Sequence, residues 1–558
     1  MKFAAILLFA CPAFTQSFDS SAHSTVMVAM RDGVKLATDV YCPARHGAAV
    51  EGKFPVLVTR SPYNKNGERT RGEQFARHGY VFVAQDVRGR YASEGRLSPL
   101  LQEGEDGYDT IAWAVAQPWS NGKAGTTGAS YLAMDQFSAA ALRPPGLTAM
   151  YAAVGTMDYY HSAAWKGGVQ STGWPVWLAF SASTSRYAKD HPDIGGKLDA
   201  LVKDPSNWLR LPVKQRQEVF RDFPDQLQAY RDYLEHPEFD AYWRQLGYYP
   251  AARIAEMPDV PILFLTGWYD QFLDSTMDAF KAMSRWQKTP KRLIIGPWPH
   301  GYGKSQCGAA DFGPGAELKE FEVQRQWFDR WMKGTTAQEP VVRYFRMGGG
   351  QKSAAKAVLA PGGAWLTSAQ WPPQNTSTLT LHLASSGRLG PALPERTEPT
   401  TYSYDPTNPA PPSGRYGPQC IQDQRTQRSD IVAFTSETLA KAVDVTGNVV
   451  LNLWASSTAR NADFIVKLVD VYPGGFAMNL AEGRIRTPDS LAPGAVYSLP
   501  VDMGATSNLF APGHKIQVTI TSSSFPQLEL NPNAGTVSIY HDPVHPSSLT
   551  LTVLPARD

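Results

Sequence analysis

Hydrophobic and polar positions alternate along residues 26–44, on both sides of Asp32-Gly33. Asp-Gly between two such runs is a strong signal for a β-hairpin. Further along the chain, unbroken apolar runs of strand length alternate with amphipathic stretches of helix period such as 103–116 and 132–142. Strands that are buried on both faces and alternate with helices predict a largely parallel sheet in an α/β unit. The apolar runs are 54–59, 80–84, 149–154, 260–266 and 292–295.

The pattern changes twice after residue 155. Residues 156–246 are aromatic-rich and of helix period, as at 214–219 and 225–234, which predicts a helical insertion between strands of the sheet. A helix-period stretch at 317–333 then closes the α/β unit. Short alternating runs punctuated by Gly, Pro, Asn and Asp follow from about residue 340 and predict an antiparallel β-sandwich. These runs are 378–383, 449–454, 464–471, 516–522 and 536–540.

The predicted organisation therefore has three folded units behind a short leader. Residues 1–17 have the layout of a secretory signal peptide, with one lysine, a short apolar run and small residues. We expect export to the periplasm or the medium if this leader is functional; a frayed N-terminal extension is the alternative. The α/β domain is predicted at 24–155 and 247–335, the helical cap at 156–246 and the β-sandwich at 340–558.

Composition and charge narrow the classes of partner. Of the 558 residues, 53 are Lys or Arg and 51 are Asp or Glu, without charge runs, which argues against nucleic-acid binding. No apolar stretch beyond the N-terminus is long enough to span a membrane. The chain has four cysteines, and no two of them are spaced as CxxC. This number and spacing argue against a disulfide framework and against a thiolate zinc site. Whether Cys307 and Cys420 pair, and whether the chain forms homo-oligomers, is left open.

A serine, an aspartate and a histidine, the residue types that serine hydrolases use, each follow a predicted strand. Small residues at 124–128 lead into Ser130 and a helix, the layout of a nucleophile elbow, although Leu132 replaces the second glycine of GxSxG. Asp270 follows the strand run 260–266, and His300 follows 292–295. Each residue taken alone also has a structural explanation, since serine is a common helix N-cap and Asp270 and His300 lie in loops.

Their order along the chain, Ser then Asp then His, is that of the α/β-hydrolases. A serine hydroxyl needs a base to remove its proton, and that base needs a carboxylate to hold its tautomer and stabilise the imidazolium. Because all three groups occur together at the ends of strands, the sequence predicts a catalytic triad of Ser130, His300 and Asp270.

Seven short motifs are spread over nearly the whole chain: Arg60-Ser61-Pro62-Tyr63, Gln85-Asp86-Val87-Arg88-Gly89-Arg90, Gly128-Ala129-Ser130-Tyr131, Gly267-Trp268-Tyr269-Asp270, Gly296-Pro297-Trp298-Pro299-His300, Ala505-Thr506-Ser507-Asn508 and Pro512-Gly513-His514. Together they resemble the cocaine esterase and X-prolyl dipeptidyl peptidase family of α/β-hydrolases. The chain is most similar to cocaine-esterase-like and glutaryl-acylase-like members. The resemblance implies an α/β-hydrolase domain with a helical cap and a C-terminal jelly roll.

The resemblance also implies roles for single residues. The Tyr63 hydroxyl and the backbone N–H of Tyr131 would form the oxyanion hole beside the triad. One position departs from the family, which usually has glycine where this chain has Ala133. We expect that methyl group to tighten the packing of helix on strand without abolishing the elbow. The charges around Arg88 and Glu94 are expected to hold a loop beside the site.

The acyl group is predicted from aromatic residues. Trp165 and Phe272 resemble the residues that line the acyl pocket of cocaine-esterase-like members, and Phe180 lies in the cap nearby. Such a pocket favours a bulky apolar or aryl acyl group on a small-molecule ester or amide. Packing of the cap helices is the alternative role for the cap residues. The full set of predicted substrate contacts is Trp165, Trp174, Trp177, Trp268 and Phe272.

Other functions remain as alternatives. An α-amino acid ester hydrolase or an X-prolyl dipeptidyl aminopeptidase needs an acid for the substrate's ammonium, because a buried ammonium without a carboxylate is costly. Gln271 and Phe272 follow the predicted triad aspartate instead, although Asp274 or Glu238 could supply an acid. A remote alternative is an inactive binding protein. The mechanism needs no cofactor, and the prolines in 541–546 favour a turn over a metal site.

Overall fold

The computed structural model describes residues 17–336, 339–350, 358–412 and 420–555. Residues 1–16 of the predicted leader lie outside the described part of the chain. None of the helices described is long and apolar enough to cross a membrane.

An α/β sheet forms the first part of the chain. Its strands run in the spatial order β1, β2, β5, β4, β6, β7, β8, β9, β12, β13, with β3 on the edge of β2 and β10 paired with β11 in a separate ribbon. The bounds are β1 (Ser20–Ala29), β2 (Lys35–Arg45), β3 (Ala48–Ala49), β4 (Phe54–Ser61), β5 (Val81–Asp86), β6 (Ser120–Ala129), β7 (Leu147–Ala153), β8 (Ile262–Tyr269), β9 (Lys291–Pro299), β10 (Gln306–Cys307), β11 (Ala310–Asp311), β12 (Val342–Gly348) and β13 (Gly363–Ser368).

The sheet confirms the predicted hairpin and the predicted parallel core. β1 and β2 are antiparallel around Asp32-Gly33, and β4 to β9 are parallel. Helices flank the parallel strands, and helices α4 to α9 form the cap. Their bounds are α1 (Arg69–Arg77), α2 (Glu103–Val115), α3 (Tyr131–Ala140), α4 (Gly173–Ser183), α5 (Arg186–Asp190), α6 (Pro192–Lys203), α7 (Ser206–Leu209), α8 (Val213–Gln217), α9 (Pro224–Glu235), α10 (Leu273–Trp286) and α11 (Glu320–Lys333).

β12 and β13 continue this sheet at the start of the region, 340–558, that the sequence assigned to the β-sandwich, and Met347 of β12 also pairs in parallel with Asn508 of the sandwich. Val342 of β12 pairs in parallel with Leu293 of β9, and β13 is antiparallel to β12. The alternation of residues in β12 indicates a strand but carries no information about which sheet the strand joins.

The cap between β7 and β8 is helical throughout its named elements, as predicted. Its interior is an aromatic cluster in which bulky rings pack edge to face and in stacks. This cluster accounts for much of the chain's tryptophan and tyrosine. Its buried members include Trp174, Trp208, Phe220, Tyr230, Tyr233, Trp243 and Tyr248.

The C-terminal strands form the predicted β-sandwich, and every alternating run found in the sequence lies in a strand. One layer contains β14, β16, β18, β21, β23 and β24, the other contains β15, β17, β19, β20 and β22, and the short pairing of β14 with β15 connects the two. The bounds are β14 (Ser377–Ala384), β15 (Arg388–Gly390), β16 (Thr400–Tyr404), β17 (Val432–Ser436), β18 (Val443–Ser457), β19 (Asp463–Val471), β20 (Ala477–Arg486), β21 (Tyr497–Phe510), β22 (Lys515–Thr521), β23 (Gly535–Tyr540) and β24 (Ser548–Leu554).

The sandwich is joined to the α/β domain by a disulfide and by a shared core. Cys307 and Cys420 are bonded, with their Cα atoms 5.4 Å apart, which settles the pairing that the sequence left open. Trp268 of β8 packs against Trp371, and its indole nitrogen donates to the carbonyl of Phe345 at 2.6 Å. The two domains therefore share one hydrophobic interior.

Candidate active site

Ser130 lies on the sharp turn between β6 and α3. Its backbone has φ 60° and ψ −122°, a combination that non-glycine residues rarely adopt. The turn is held by the Ser130 N–H, which donates to the Ala153 carbonyl at 2.9 Å. Strain of this kind persists where the surrounding structure enforces it, and it is common at functional sites. The serine hydroxyl is thereby held at the carboxyl edge of the parallel strands.

Small residues make this turn sterically feasible. A Cβ atom on Gly128 would lie 2.4 Å from the Cβ of Leu132, so only glycine fits there. A Cβ atom on Gly155 would lie 2.6 Å from the Cβ of Ala133. The methyl group of Ala133, at the position where the family usually has glycine, is accommodated because residue 155 on the neighbouring segment has no side chain.

Ser130, His300 and Asp270 form a hydrogen-bonded chain, as the sequence predicts. His300 Nε2 lies 2.9 Å from Ser130 Oγ, and His300 Nδ1 lies 2.8 Å from Asp270 Oδ1. Asp270 is fully buried, and its second carboxylate oxygen accepts a hydrogen bond from Thr266 at 3.1 Å. The arrangement orients the imidazole and gives the serine hydroxyl a base within hydrogen-bond reach.

The Tyr63 hydroxyl is close to this chain. It accepts a hydrogen bond from Trp177 Nε1 at 3.1 Å. Burial raises the pKa of Tyr63, while its hydrogen bonds with Trp177 and Ser130 act in the opposite direction. The hydroxyl therefore keeps its proton at neutral pH and is available as a donor.

Arg90 fixes the segment that carries Tyr63. Its guanidinium donates to the Pro62 carbonyl at 3.0 Å and to the Ser181 carbonyl at 2.7 Å. The turn after β4 is thus tied to the C-terminal end of cap helix α4. Arg88, in the same loop, pairs with Asp106 at 2.7 Å and with Asp32. These charges hold the loop in place.

Tyr131, the residue after Ser130, is anchored by its side chain. Its hydroxyl donates to Glu103 at 2.7 Å and accepts the N–H of Leu100 at 2.8 Å. Glu103 in turn pairs with Arg60. Because Tyr131 is the first residue of α3, its backbone N–H is one of the helix donors that have no partner within the helix. That N–H is therefore available to an acceptor outside the helix.

A cavity of about 570 Å³ opens above Ser130 and His300 and reaches across the cap to the β-sandwich. Trp177 stacks on Tyr131 with ring centroids 5.6 Å apart, and Trp174 stacks on Trp177 at 5.1 Å. Phe272 contacts the His300 ring edge to face at 5.5 Å. The apolar lining of the cavity includes Leu100, Met134, Tyr159, Trp174, Val176, Trp177, Phe180 and Phe272.

Two predicted substrate contacts are corrected by the structure. Trp268 is completely buried between the α/β sheet and the β-sandwich and does not line the cavity. Trp165 packs against Tyr233 inside the cap, with ring centroids 6.0 Å apart, and does not line it either. Resemblance to the family identified Trp165, and Trp268 lies in the motif that ends at Asp270, but the direction of each side chain is set by packing.

The β-sandwich contributes to the cavity, which sequence reasoning did not anticipate. Pro412, Arg484, Pro526 and Gln527 line it, together with Gln271 and Lys203. No motif marks Arg484 or Gln527, because each lies in an ordinary stretch of a domain far along the chain. The signal that could have found them is contact between domains, which one sequence does not contain.

No aspartate or glutamate is among the described residues that line this cavity. Asp274 pairs with Lys166 and lies in a separate cavity of about 320 Å³. Glu238 is also absent from the lining. Neither acid that the sequence analysis considered for an ammonium group reaches the space above Ser130.

Within the described ranges, no group of three or more His, Cys, Asp or Glu residues is arranged to hold a metal ion. The ring of His541 lies within hydrogen-bond distance of Thr397 and Thr400, and His545 packs against Trp454. Both histidines have partners in the sandwich itself.

Comparison with known proteins agrees with the geometry. Residues 32–302 match the family model for the X-Pro dipeptidyl-peptidase (S15 family), and residues 334–550 match the X-Pro dipeptidyl-peptidase C-terminal non-catalytic domain. The chain is 32% identical to cocaine esterase of Rhodococcus sp. (strain MB1 Bresler) over 596 residues, covering 96% of this chain and 99% of the relative.

Two solved structures show the same fold at low sequence identity. An aminopeptidase from a marine sediment Thaumarchaeota archaeon has a TM-score of 0.78 at 22% identity, with 99% of both chains covered. A selenomethionine-labelled α-amino acid ester hydrolase has a TM-score of 0.78 at 23% identity, with 98% of both chains covered. The likeness extends over cap and sandwich as well as the α/β domain. With its motifs, domain order and near-complete alignment to the Rhodococcus enzyme, the chain belongs to the cocaine esterase and X-Pro dipeptidyl-peptidase family of α/β-hydrolases.

Proposed function

We propose that this hydrolase cleaves carboxylic esters and amides with a bulky apolar or aryl acyl group, through an acyl-enzyme on Ser130. The observation that carries the proposal is the Ser130–His300–Asp270 chain, with distances of 2.9 and 2.8 Å, at the floor of an aromatic cavity. A cavity of about 570 Å³ is of the size that holds small organic substrates.

In the first half of the reaction, Ser130 Oγ attacks the carbonyl carbon while its proton passes to His300 Nε2. The new Oγ–C bond forms as the carbonyl π electrons move to oxygen. Asp270 stabilises the imidazolium that results and keeps Nδ1 protonated. The tetrahedral intermediate then collapses, the bond to the alcohol or amine breaks, and that leaving group takes the proton from His300.

The negative oxygen of the intermediate is held by the Tyr63 hydroxyl and the Tyr131 N–H. Trp177 has a second role here, because its indole N–H occupies an acceptor site of the Tyr63 oxygen at 3.1 Å. The Tyr63 proton is then directed away from Trp177 and toward the reacting centre. Donors that are oriented before the reaction stabilise a developing charge without reorganisation.

In the second half, water replaces the alcohol. His300 takes a proton from the water as its oxygen attacks the acyl carbon, and the Ser130 ester bond then breaks with return of that proton to Oγ. The products are the carboxylic acid and free enzyme. Every proton transfer uses His300, and no cofactor takes part.

An aminopeptidase activity is the second candidate, because residues 32–302 match the X-Pro dipeptidyl-peptidase (S15 family) model. Such a substrate presents a free ammonium, which needs an acidic partner when water is excluded. The described lining contains no aspartate or glutamate, whereas it contains Lys203 and Arg484. This charge balance favours the esterase and acylase over the aminopeptidase.

The test is a turnover panel with Ser130→Ala as the blank. Its substrates are aryl and alkyl esters, a β-lactam side-chain amide and an X-Pro arylamide. We expect hydrolysis of the esters and slower hydrolysis of the side-chain amide, with no X-Pro cleavage above the blank. Rapid X-Pro cleavage would replace the first proposal with the second, and turnover that persists in Ser130→Ala would remove Ser130 from the mechanism.

A further inference from the structure

Tyr159 lies in the segment that leads from β7 into the cap, and it lines the cavity above Ser130 with 8% of its surface exposed. Its ring is held on several sides. It packs edge to face against Trp174, with ring centroids 5.1 Å apart, and stacks on Trp243 at 6.4 Å. Its backbone N–H donates to the carbonyl of Tyr248 at 3.0 Å. Tyr159 therefore cannot turn away from the cavity without disturbing the core of the cap.

The hydroxyl group of Tyr159 forms no hydrogen bond with any residue in the described part of the chain, and only burial and the charge of neighbouring phenols act on its pKa. Burial raises that pKa well above its ordinary value, so the hydroxyl keeps its proton at neutral pH. The oxygen is not completely enclosed either, because the fully buried unpaired polar atoms of the described chain do not include it. Tyr159 thus presents an unused O–H donor at the cavity wall.

Other hydroxyl groups on this wall already donate their protons within the protein. Tyr131 donates to Glu103 at 2.7 Å, and Ser162 donates to the carbonyl of Asp158. Water can pair with the Tyr159 hydroxyl in the free enzyme, but a substrate that fills the cavity displaces that water. A purely apolar group would then leave the hydroxyl unpaired, which costs free energy, and sites of this kind discriminate against the substrate that lacks the matching polar atom.

We propose that Tyr159 is a specificity-determining residue, whose hydroxyl donates a hydrogen bond to an uncharged oxygen on the acyl group of the substrate. This inference rests on the proposed function and narrows its substrate class to acyl groups that combine apolar bulk with an acceptor oxygen, such as an ether or a ketone. Phe272 packs against the Tyr159 ring at 6.5 Å and against the His300 ring at 5.5 Å. Because one aromatic ring separates Tyr159 from the base, the acceptor oxygen lies a few bonds from the reacting carbonyl.

A series of 4-nitrophenyl esters, in which one ether oxygen moves along the acyl chain, tests the proposal. The parent is the hexanoate. The propoxyacetate, the 3-ethoxypropanoate and the 4-methoxybutanoate have the same chain length, with the oxygen at successive positions. For each ether ester, kcat/KM is measured relative to that of the hexanoate in wild type and in Tyr159→Phe, so that the intrinsic reactivity of the ester cancels between the two enzymes.

For at least one ether ester, we expect the relative kcat/KM to be lower in Tyr159→Phe by about 5- to 50-fold, as for loss of one hydrogen bond where water is excluded. The hexanoate itself should be hydrolysed by Tyr159→Phe at least as fast as by wild type, because the variant has no hydroxyl to leave unpaired. A loss that is equal for the hexanoate and the three ether esters would show a structural role for Tyr159 and would overturn the proposal.

Tyr160→Phe is the matched control. Tyr160 is the next residue, is equally buried and donates to the carbonyl of Pro237 at 2.7 Å, and it does not line the cavity. Its loss of a hydroxyl should leave every relative kcat/KM unchanged. The proposal is overturned if wild type and Tyr159→Phe give the same relative values for all three ether esters, or if Tyr160→Phe shows the same decrease as Tyr159→Phe. A wild-type enzyme that hydrolyses none of the four esters overturns the proposed function, and this inference with it.

Discussion

Two histidine–aspartate pairs in this molecule have nearly the same geometry and different surroundings. His300 Nδ1 lies 2.8 Å from Asp270, and His514 Nδ1 lies 2.7 Å from Asp470. Both carboxylates are fully buried. The histidine side chains differ, since that of His300 is 32% exposed and that of His514 is 5% exposed.

The difference between the pairs lies in what each histidine faces. His300 has Ser130 on its second nitrogen and a cavity above it. His514 packs against Tyr472 within the sandwich, and Asp470 uses its second oxygen to accept from Asn508 at 3.0 Å. Burial raises the pKa of Asp470, and its bonds with His514 and Asn508 counteract that effect. An Asp–His pair is therefore a structural unit in one place and the proposed base in another, depending on a nucleophile and access for substrate.

Ser130→Ala should have the largest effect, because it leaves His300 and Asp270 as a pair without a nucleophile, like His514 and Asp470. We expect kcat for ester hydrolysis to fall by about 10⁴- to 10⁶-fold. The measurement is steady-state turnover of an aryl ester, with the thermal unfolding midpoint as the control for folding. Residual activity within tenfold of wild type would show that another group attacks the carbonyl.

Asp270→Asn and Asp470→Asn make the same substitution in each of the two histidine–aspartate pairs. Asp270→Asn should lower kcat by about 10⁴-fold, because the amide cannot hold the imidazole tautomer or stabilise its cation. Asp470→Asn should instead lower the free energy of unfolding by about 1–3 kcal/mol, since a buried hydrogen-bond acceptor is lost. Turnover and urea unfolding of both variants separate these outcomes.

The comparison breaks down if the effects do not separate in this way. A large loss of kcat in a folded Asp470→Asn enzyme would mean that the sandwich pair acts on the reaction. Unchanged turnover in Asp270→Asn would mean that Asp270 is as structural as Asp470.

Tyr63→Phe leaves both pairs intact and removes one donor beside His300. We expect kcat to fall by about 10²- to 10³-fold with little change in KM, as for loss of an oxyanion donor.

Trp177→Phe keeps an aromatic ring but removes the indole N–H that orients the Tyr63 hydroxyl, so a smaller loss of kcat is expected. If Trp177→Phe does not lower kcat further when Tyr63→Phe is already present, the indole acts through Tyr63. Additive losses of kcat in the double variant would show that it does not.

Gly155→Ala should act mainly on stability and tests how Ser130 is held against His300. The added methyl group would meet the Cβ of Ala133 at 2.6 Å and push α3 away from the sheet. Overpacking of this kind destabilises by about 1–3 kcal/mol, and we expect kcat to fall as well because Ser130 moves relative to His300. The double variant Gly155→Ala, Ala133→Gly should recover both quantities. Failure of the second change to restore either one would locate the clash elsewhere.

Much of the fold was predictable because local patterns encode it. Unbroken apolar runs identified the buried strands β4, β5, β7, β8 and β9, and alternation identified the strands of the sandwich. β6 is the instructive exception, since it contains mostly small and polar residues and no apolar run. It was implied only by the serine turn that follows it. β12 connects the two domains, since it pairs with β9 and with β21, and alternation indicates such a strand without specifying its neighbours.

The hydrogen-bonded chain of the proposed triad was predictable for a related reason. Ser130, Asp270 and His300 each follow a parallel strand, and the carboxyl ends of such strands meet at one edge of the sheet, so their order along the chain was enough to bring them together. The pocket was predicted only in part. Trp174, Trp177 and Phe272 line the cavity, whereas Trp165 and Trp268 are packed elsewhere.

The sequence by itself determined the hydrolase architecture and the side chains of the proposed triad, because strand period, turn chemistry and residue order are local properties of the chain. Only the tertiary structure decided which side chains form the wall of the cavity. Arg484 and Gln527 reach it because the β-sandwich packs against the cap, where Thr172 binds the carbonyl of Gln527. Contacts of that kind join residues more than three hundred positions apart, and they depend on the shapes of two folded domains rather than on any pattern within either one.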